Sequence, residues 1–439
     1  MKKIKSKKYR SPWQSSGAID RSAWAYYSFD KIQGLAPGLR KMADSQTTFS
    51  KKILFFLVYL LGLFGAIIAL DRLVIAHFAD KQYDDGMVLP PFTRIQIKTI
   101  EYSYQVYVNN FGFRDSESNA EKSPQYRILA IGDSFTYGWG VEIGQTWPKV
   151  LEKILNDQGR KIEVDDLGKP GAGPRDYADI AEKAIPVLKP DLVIIGMLQG
   201  DDLAQAQPGE ASAPEPGNRT VRHILARCLR RTFPYTSSLI AKKFMPVIPS
   251  RELHNAWKKQ AAQTLAQFNP EQKARFQALD YQIKEWFAAG ELNPAVIYIA
   301  VSNPDYFLEL EDLASAKTRE HIAEMAKQLD RIKKVADQNG ARVIVVSVPQ
   351  RVYISPADFE TPIRFGFNLD PKMLSSDAMD QAIKMAADQA GLEFWQVTPQ
   401  FRSASKTSHL FFPLDGHFNP QGHALFAELL AGPMGKFIK

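Results

Sequence analysis

From Tyr126 to the C-terminus, short apolar runs take turns with stretches of helical periodicity, and this alternation narrows the possible folds more than any other feature. "RILAIG" precedes a helical stretch near residues 147–155, "IEVDDL" precedes one around 177–188, and "DLVIIGM" follows. A long amphipathic segment, about 318–339 with Ile322, Met325, Leu329 and Ile332 on one face, stops at Gly340 and feeds "ARVIVVSV". A last helical stretch, 376–390, leads to "LEFWQV". Continuous apolar strands separated by helices predict a parallel sheet covered on both faces, here a small doubly wound sheet of five strands.

A second constraint lies upstream, where residues 53–70 ("ILFFLVYLLGLFGAIIAL") run for eighteen positions without a charge. That length reaches the lower end of what a membrane-spanning helix needs, and Lys51, Lys52, Asp71 and Arg72 flank it. Residues 1–52 hold twelve Lys or Arg against three Asp. The net charge of +7 therefore belongs to the N-terminus, and the remaining 387 residues carry −2. A folded nucleic-acid-binding domain is excluded by that distribution. The same asymmetry predicts a cytoplasmic N-terminus and a translocated body, because basic flanks stay inside. The run lies too far from Met1 to be a cleaved signal peptide, so it reads as a retained anchor. The expected organisation is a basic tail (1–52), an anchor (53–75), a lead-in (76–125) and one large domain (126–439).

Two features interrupt the strand-helix pattern. "QAQPGEASAPEPGN" (205–218) reads as an exposed loop, and the sequence up to about 317 is mostly helical, with several prolines and a basic cluster of Arg219, Arg222, Arg227, Arg230 and Arg231. This is an insertion over the strand ends: a lid, a partner surface or a membrane-facing pad, with solvated arginines as the bland reading. The single cysteine, Cys228, excludes an intrachain disulfide; with Leu225 and Leu229 it falls on one helical stripe and is expected to pack in a core. The histidines lack metal-site spacing, so neither a metal nor another cofactor is expected.

Ligands of open α/β sheets bind outside the carboxyl ends of the strands. The first such end carries Gly132, Asp133 and Ser134, the second "LGKPGAG" with Gly171, and the third "QGDD" with Asp201 and Asp202. Near the C-terminus stands "PLDGHFNPQGH" with Asp415, His417 and His423. A serine hydroxyl becomes a nucleophile when a neighbouring histidine takes its proton and a carboxylate orients that ring. Glycine at 132 is expected to let the chain turn sharply and Asp133 to fix the turn. Tyr137 and Trp139 follow the serine closely and are candidates to stack on a sugar ring, with core packing as the alternative.

"IGDSFTYGWGV" and "DGHFNPQGH" resemble the SGNH or GDSL hydrolases, and the likeness extends from about 126 to 433 apart from the insertion. The resemblance implies a flavodoxin-like doubly wound sheet and assigns Ser134 as nucleophile, His417 as base and Asp415 as its orienting partner, ahead of His423. It also implies an oxyanion hole from the backbone N–H groups of Ser134 and Gly171, with Asp201 where the family usually holds asparagine. Two departures stand out: Asp415 precedes His417 by two residues where the family spacing is three, and an ionised Asp201 donates no hydrogen bond.

With the lead-in "NNFGFRD", the chain is similar to a membrane-anchored branch handling O-acyl groups on extracytoplasmic glycans. The expectation is an esterase or acyltransferase of the bacterial inner membrane with a periplasmic domain, a carbohydrate polymer as substrate and a multipass O-acyltransferase as partner. The alternative is a catalytically weak or inactive assembly subunit of an inner-membrane complex whose aromatic tail (Trp13, Trp24, Tyr26, Tyr27, Phe29) docks a cytoplasmic partner.

Overall fold

The computed structural model describes residues 36–79, 87–117, 125–208, 221–245, 247–435 and 438. Residues 1–35, which contain the aromatic tail, lie outside them, as does most of the loop expected at 205–218. Two compact units are present, Met1–Leu70 and Asp71–Lys439. The uncharged run sits in one helix, Ala36–Leu73, whose apolar side chains are exposed, Phe55 by 78% and Leu61 by 70%. The stretch Lys51–His77 is long and apolar enough to cross a membrane.

The second unit is built on five parallel strands: β3 (Tyr126–Gly132), β4 (Ile162–Gly168), β5 (Leu192–Leu198), β7 (Arg342–Val348) and β8 (Glu393–Trp395). Their spatial order is β4-β3-β5-β7-β8, the flavodoxin-like arrangement in which the first strand of the sheet lies between the second and the third. Alternation along β3 explains the two cores. Ile128 and Ala130 pack with Trp147, Leu151, Phe426 and Leu430 on one face. Leu129 and Ile131 pack with Tyr177, Ile185, Met325 and Leu329 on the other. Both faces are covered by helices, so β5 is apolar throughout and period two disappears from its sequence, whereas β4 buries Asp165 and Asp166 among its apolar residues.

Before this sheet, β1 (Thr93–Lys98) and β2 (Ser103–Val108) form an antiparallel hairpin, joined by a two-residue β6 (Val247–Ile248) in parallel with β1. The hairpin's turn carries Glu101 and Tyr102. The insertion consists of short helices, among them Val221–Thr232, Pro234–Lys243, Ser250–Gln267 and Pro294–Ser302. Its prolines do not break them, because Pro234, Pro270 and Pro294 each open a helix where no intrahelical N–H is required. Asn269, Asp280 and Asn293 cap helix starts with their side-chain oxygens. Phe268, Phe276, Ile283 and Phe287 give these helices a core of their own.

Cys228 departs from expectation. It is exposed, and Leu225 and Leu229 on the same stripe are each 58% exposed. The helical period was sound, but the stripe faces outward.

Candidate active site

β3 ends where Gly132 pairs with Gly168 of β4. Neither glycine serves a positive φ here; each is required by contact. A Cβ on Gly132 would lie 2.1 Å from Thr136 Oγ1, and one on Gly168 would lie 2.0 Å from the backbone nitrogen of Tyr137. The short helix Ser134–Tyr137 thus rests directly on both strand ends. Asp133 caps it by accepting the Phe135 N–H at 2.9 Å. Burial pushes the Asp133 carboxyl up to about 7, against the stabilising Phe135 N–H and the nearby His417. Ser134 is the first helical residue, so its N–H has no intrahelical acceptor.

The turn after the serine is held by a residue from the lead-in. Arg114, fully buried, donates to the carbonyls of Tyr137 (2.8 Å), Gly138 (2.6 Å) and Val141 (2.5 Å). Its neighbour Asp115 pairs with Lys149 at 2.8 Å and accepts the Asp166 N–H at 3.1 Å. The "FRD" of the lead-in therefore braces the serine corner.

The structure brings Ser134, His417 and Asp415 together. Ser134 Oγ lies 2.7 Å from His417 Nε2, and His417 Nδ1 is hydrogen bonded to Asp415 Oδ1. The two-residue spacing works because Gly416 adopts φ +87°, a left-handed conformation that folds the carboxylate back onto the ring. A Cβ there would also lie 2.9 Å from the Arg351 guanidinium carbon. His417 is flanked by Phe135, with centroids 4.8 Å apart, and Trp139, at 6.2 Å. Burial pulls the His417 pKa down, but the Asp415 carboxylate outweighs it and the net shift is upward from 6.5. Burial would raise Asp415, and the His417 ring reverses that, so this carboxyl sits below its ordinary value.

Several side chains that hold Asp415 escaped the sequence reading. Tyr102 O–H donates to Asp415 Oδ2 at 2.7 Å and accepts the Trp139 Nε1–H at 2.6 Å. Burial and the Asp415 charge keep the Tyr102 phenol far above its usual pKa, so it remains a donor. Glu101 accepts the N–H groups of Leu414 (2.7 Å) and Asp415 (2.6 Å). Arg351 donates to the Pro413 carbonyl at 2.7 Å. The only hint was the alternation of "YSYQVYV", which signals a strand and says nothing of where its first tyrosine reaches.

A cleft of about 1120 Å³ opens over these groups and is lined by Ser134, Gly171, Asp201 and His417, among others. Gly171 has φ +72°. Asp201 opens the helix Asp201–Gln205 after β5, and its two oxygens accept from Tyr306 O–H and from Gln205 Nε2 (2.8 Å). At this position the site holds an acceptor that is already engaged. Trp139 lines the cleft and stacks with Trp257 of the insertion, their rings 6.4 Å apart at 27°. Tyr137, a candidate for the same role, does not reach the cleft: it is 3% exposed, and the Arg114 guanidinium sits 5.0 Å from its ring. The tight turn at Gly138 directs residue 137 under the corner and residue 139 out. His423 is fully buried, accepts the Trp147 N–H at 3.2 Å, and is pushed down to about 3 by burial, so it cannot act in the cleft.

Residues 130–296 match the GDSL-like lipase/acylhydrolase family, and residues 305–436 match the SGNH hydrolase-like domain of the acetyltransferase AlgX. No curated protein matches the chain. Among solved structures, a lipase/acylhydrolase from Enterococcus faecalis is 11% identical, with 72% of this chain and 98% of that chain covered and a TM-score of 0.35. An acetylxylan esterase from Geobacillus stearothermophilus is 12% identical, with 73% and 99% covered and a TM-score of 0.34. One family match spans the Ser134 corner and the other spans the Asp415–His417 loop, so the two segments that carry the serine and the histidine are each similar to GDSL- or SGNH-type hydrolases.

Proposed function

We propose that this chain is a serine esterase or acyltransferase of the bacterial inner membrane, single-pass with a cytoplasmic N-terminus. Its domain works outside the cytoplasm on O-acyl groups, O-acetyl above all, of a cell-surface or exported polysaccharide. The observation that carries this reading is the 2.7 Å contact between Ser134 Oγ and a His417 ring whose other nitrogen is bonded to Asp415. Neutral His417 accepts the hydroxyl proton as Oγ attacks the acyl carbon. Asp415 stabilises the imidazolium that results. The oxyanion is met by the N–H groups of Ser134 and Gly171. Collapse breaks the ester bond, and His417 returns the proton to the departing sugar oxygen. Water, or a hydroxyl of a second sugar, then gives its proton to His417 as its oxygen attacks the acyl carbon, and when the acyl–Oγ bond breaks His417 returns that proton to Ser134. The match of 305–436 to an acetyltransferase domain supports O-acetyl chemistry, and the Trp139–Trp257 face suits a sugar ring. The apolar helix and the basic excess before it support the anchor and its orientation.

The competing scaffold reading draws on Asp201, because replacing a donor by an engaged acceptor costs on the order of 10²- to 10³-fold in rate. A fluorophosphonate probe separates the two readings. The full chain in detergent is expected to be labelled and to hydrolyse p-nitrophenyl acetate, and Ser134→Ala is expected to lose both. A folded wild type that takes no label overturns the enzyme.

A further inference from the structure

We propose that the helices Val221–Thr232 and Pro234–Lys243 form a pad seated on the anionic surface of the bilayer, beside the point where the chain leaves its apolar span; the inference rests on the anchor reading and not on the serine chemistry. Residues 221–244 hold six Lys or Arg and no Asp or Glu, and one of the six, Lys242, is turned inward and paired with Glu117 at 2.9 Å. Leu225, Cys228 and Leu229 share a helical face, yet both leucines are 58% exposed and the cysteine is exposed with them. Ile240 is 55% and Phe244 72% exposed on the second helix and its end, and Phe78, just beyond the span, is 76% exposed. A water-facing surface seldom leaves so many large apolar groups bare, whereas a basic amphipathic helix lying in the headgroup plane presents just this mixture.

What fixes the occupant is attachment. Asp71, the first residue after the uncharged run, is buried and accepts both the N–H (2.7 Å) and the O–H (2.6 Å) of Thr236. Arg72 donates to the Arg231 carbonyl at 3.2 Å and lies 5.8 Å from the Tyr235 ring. The loop between the two helices is therefore tied to the residues that emerge from the span. With 53–70 in the hydrocarbon, Asp71 stands at its edge and the pad cannot leave the headgroup region without breaking these bonds. Lys and Arg so close to the surface favour anionic lipid.

Cys228 is the chain's one cysteine and accepts a nitroxide label without further change. The full chain is reconstituted in phosphatidylcholine vesicles containing phosphatidylglycerol, and collisions of the label with oxygen and with a water-soluble nickel chelate are compared. The expected result is a net preference for oxygen, reduced in phosphatidylcholine alone and lost in Leu225→Glu/Leu229→Glu. Reference labels go at Leu57→Cys and Lys327→Cys, each with Cys228→Ser, to report hydrocarbon and water. A water-like label at 228 beside a lipid-like label at 57 overturns the pad and leaves the anchor. Water-like labels at both overturn the two together. A label at 228 shielded from both reagents means that a protein covers this face, which also overturns the pad.

Discussion

The serine and the histidine reach the same cleft by opposite kinds of mounting. Ser134 stands at the end of a buried strand, and the helix that carries it is pressed onto Gly132 and Gly168 so closely that neither position accepts a methyl group. His417 stands on a loop of irregular backbone near the C-terminus, and its partner Asp415 is fixed by Tyr102 and Glu101, more than three hundred residues earlier. The first mounting is steric and local in the sheet. The second is polar and assembled from distant segments. A rigid mount sets where the nucleophile is, while an adjustable polar mount sets how basic the histidine is.

The contrast predicts different ways of failing. Gly168→Ala forces a Cβ against the backbone of Tyr137, where no side chain can yield. Overpacking of this kind costs about 3 kcal/mol, and the displaced corner is expected to remove activity together with a clear drop in thermal midpoint. A variant that keeps both would mean that the corner is not sterically fixed. Asp415→Asn is expected to do the reverse. It should lower kcat by roughly 10⁴-fold, as loss of the orienting carboxylate does in such triads, while the thermal midpoint moves far less than in Gly168→Ala. An equal loss of stability in both variants would erase the distinction between the mounts.

The same contrast explains what could be read from the sequence. Five strands, the Ser134 corner and the Asp415–His417 pair were legible because each rests on contiguous residues: an apolar run, a glycine at its end, an Asp-Gly-His loop; the order of the strands came only with the family resemblance. Gly132 was expected to allow a sharp turn, and its missing Cβ makes room for Thr136, four residues on in the helix that the turn begins. Tyr137 and Trp139 were indistinguishable as neighbours, and only the backbone turn at Gly138 sends one inward and the other into the cleft. Tyr102 and Glu101 were invisible because a side chain's partner three hundred residues away is a property of the fold, and Arg114 because its carbonyl partners at 137, 138 and 141 lie across an intervening strand. Cys228 and its leucines show the converse failure: periodicity finds a stripe but not what the stripe faces.

The finest test of the polar mount is Tyr102→Phe, which removes one donor from Asp415 and leaves the ring in place. A hydrogen bond to a charged group contributes about 1.5–3 kcal/mol, and part of it is recovered by water at a cleft, so kcat is expected to fall roughly tenfold. Trp139 loses its acceptor in the same change, and KM rises as the indole loosens. The pH profile carries the sign. Neutral His417 is the working form, and its pKa lies above 6.5, so kcat/KM of the wild type falls as pH drops through that value. Without the phenol, Asp415 directs more of its negative charge at the ring, the imidazolium is stabilised further, and the acid limb moves to higher pH. Were the limb to stay fixed or move lower while kcat fell, Tyr102 would act by packing alone, and the polar mount would set position without setting basicity.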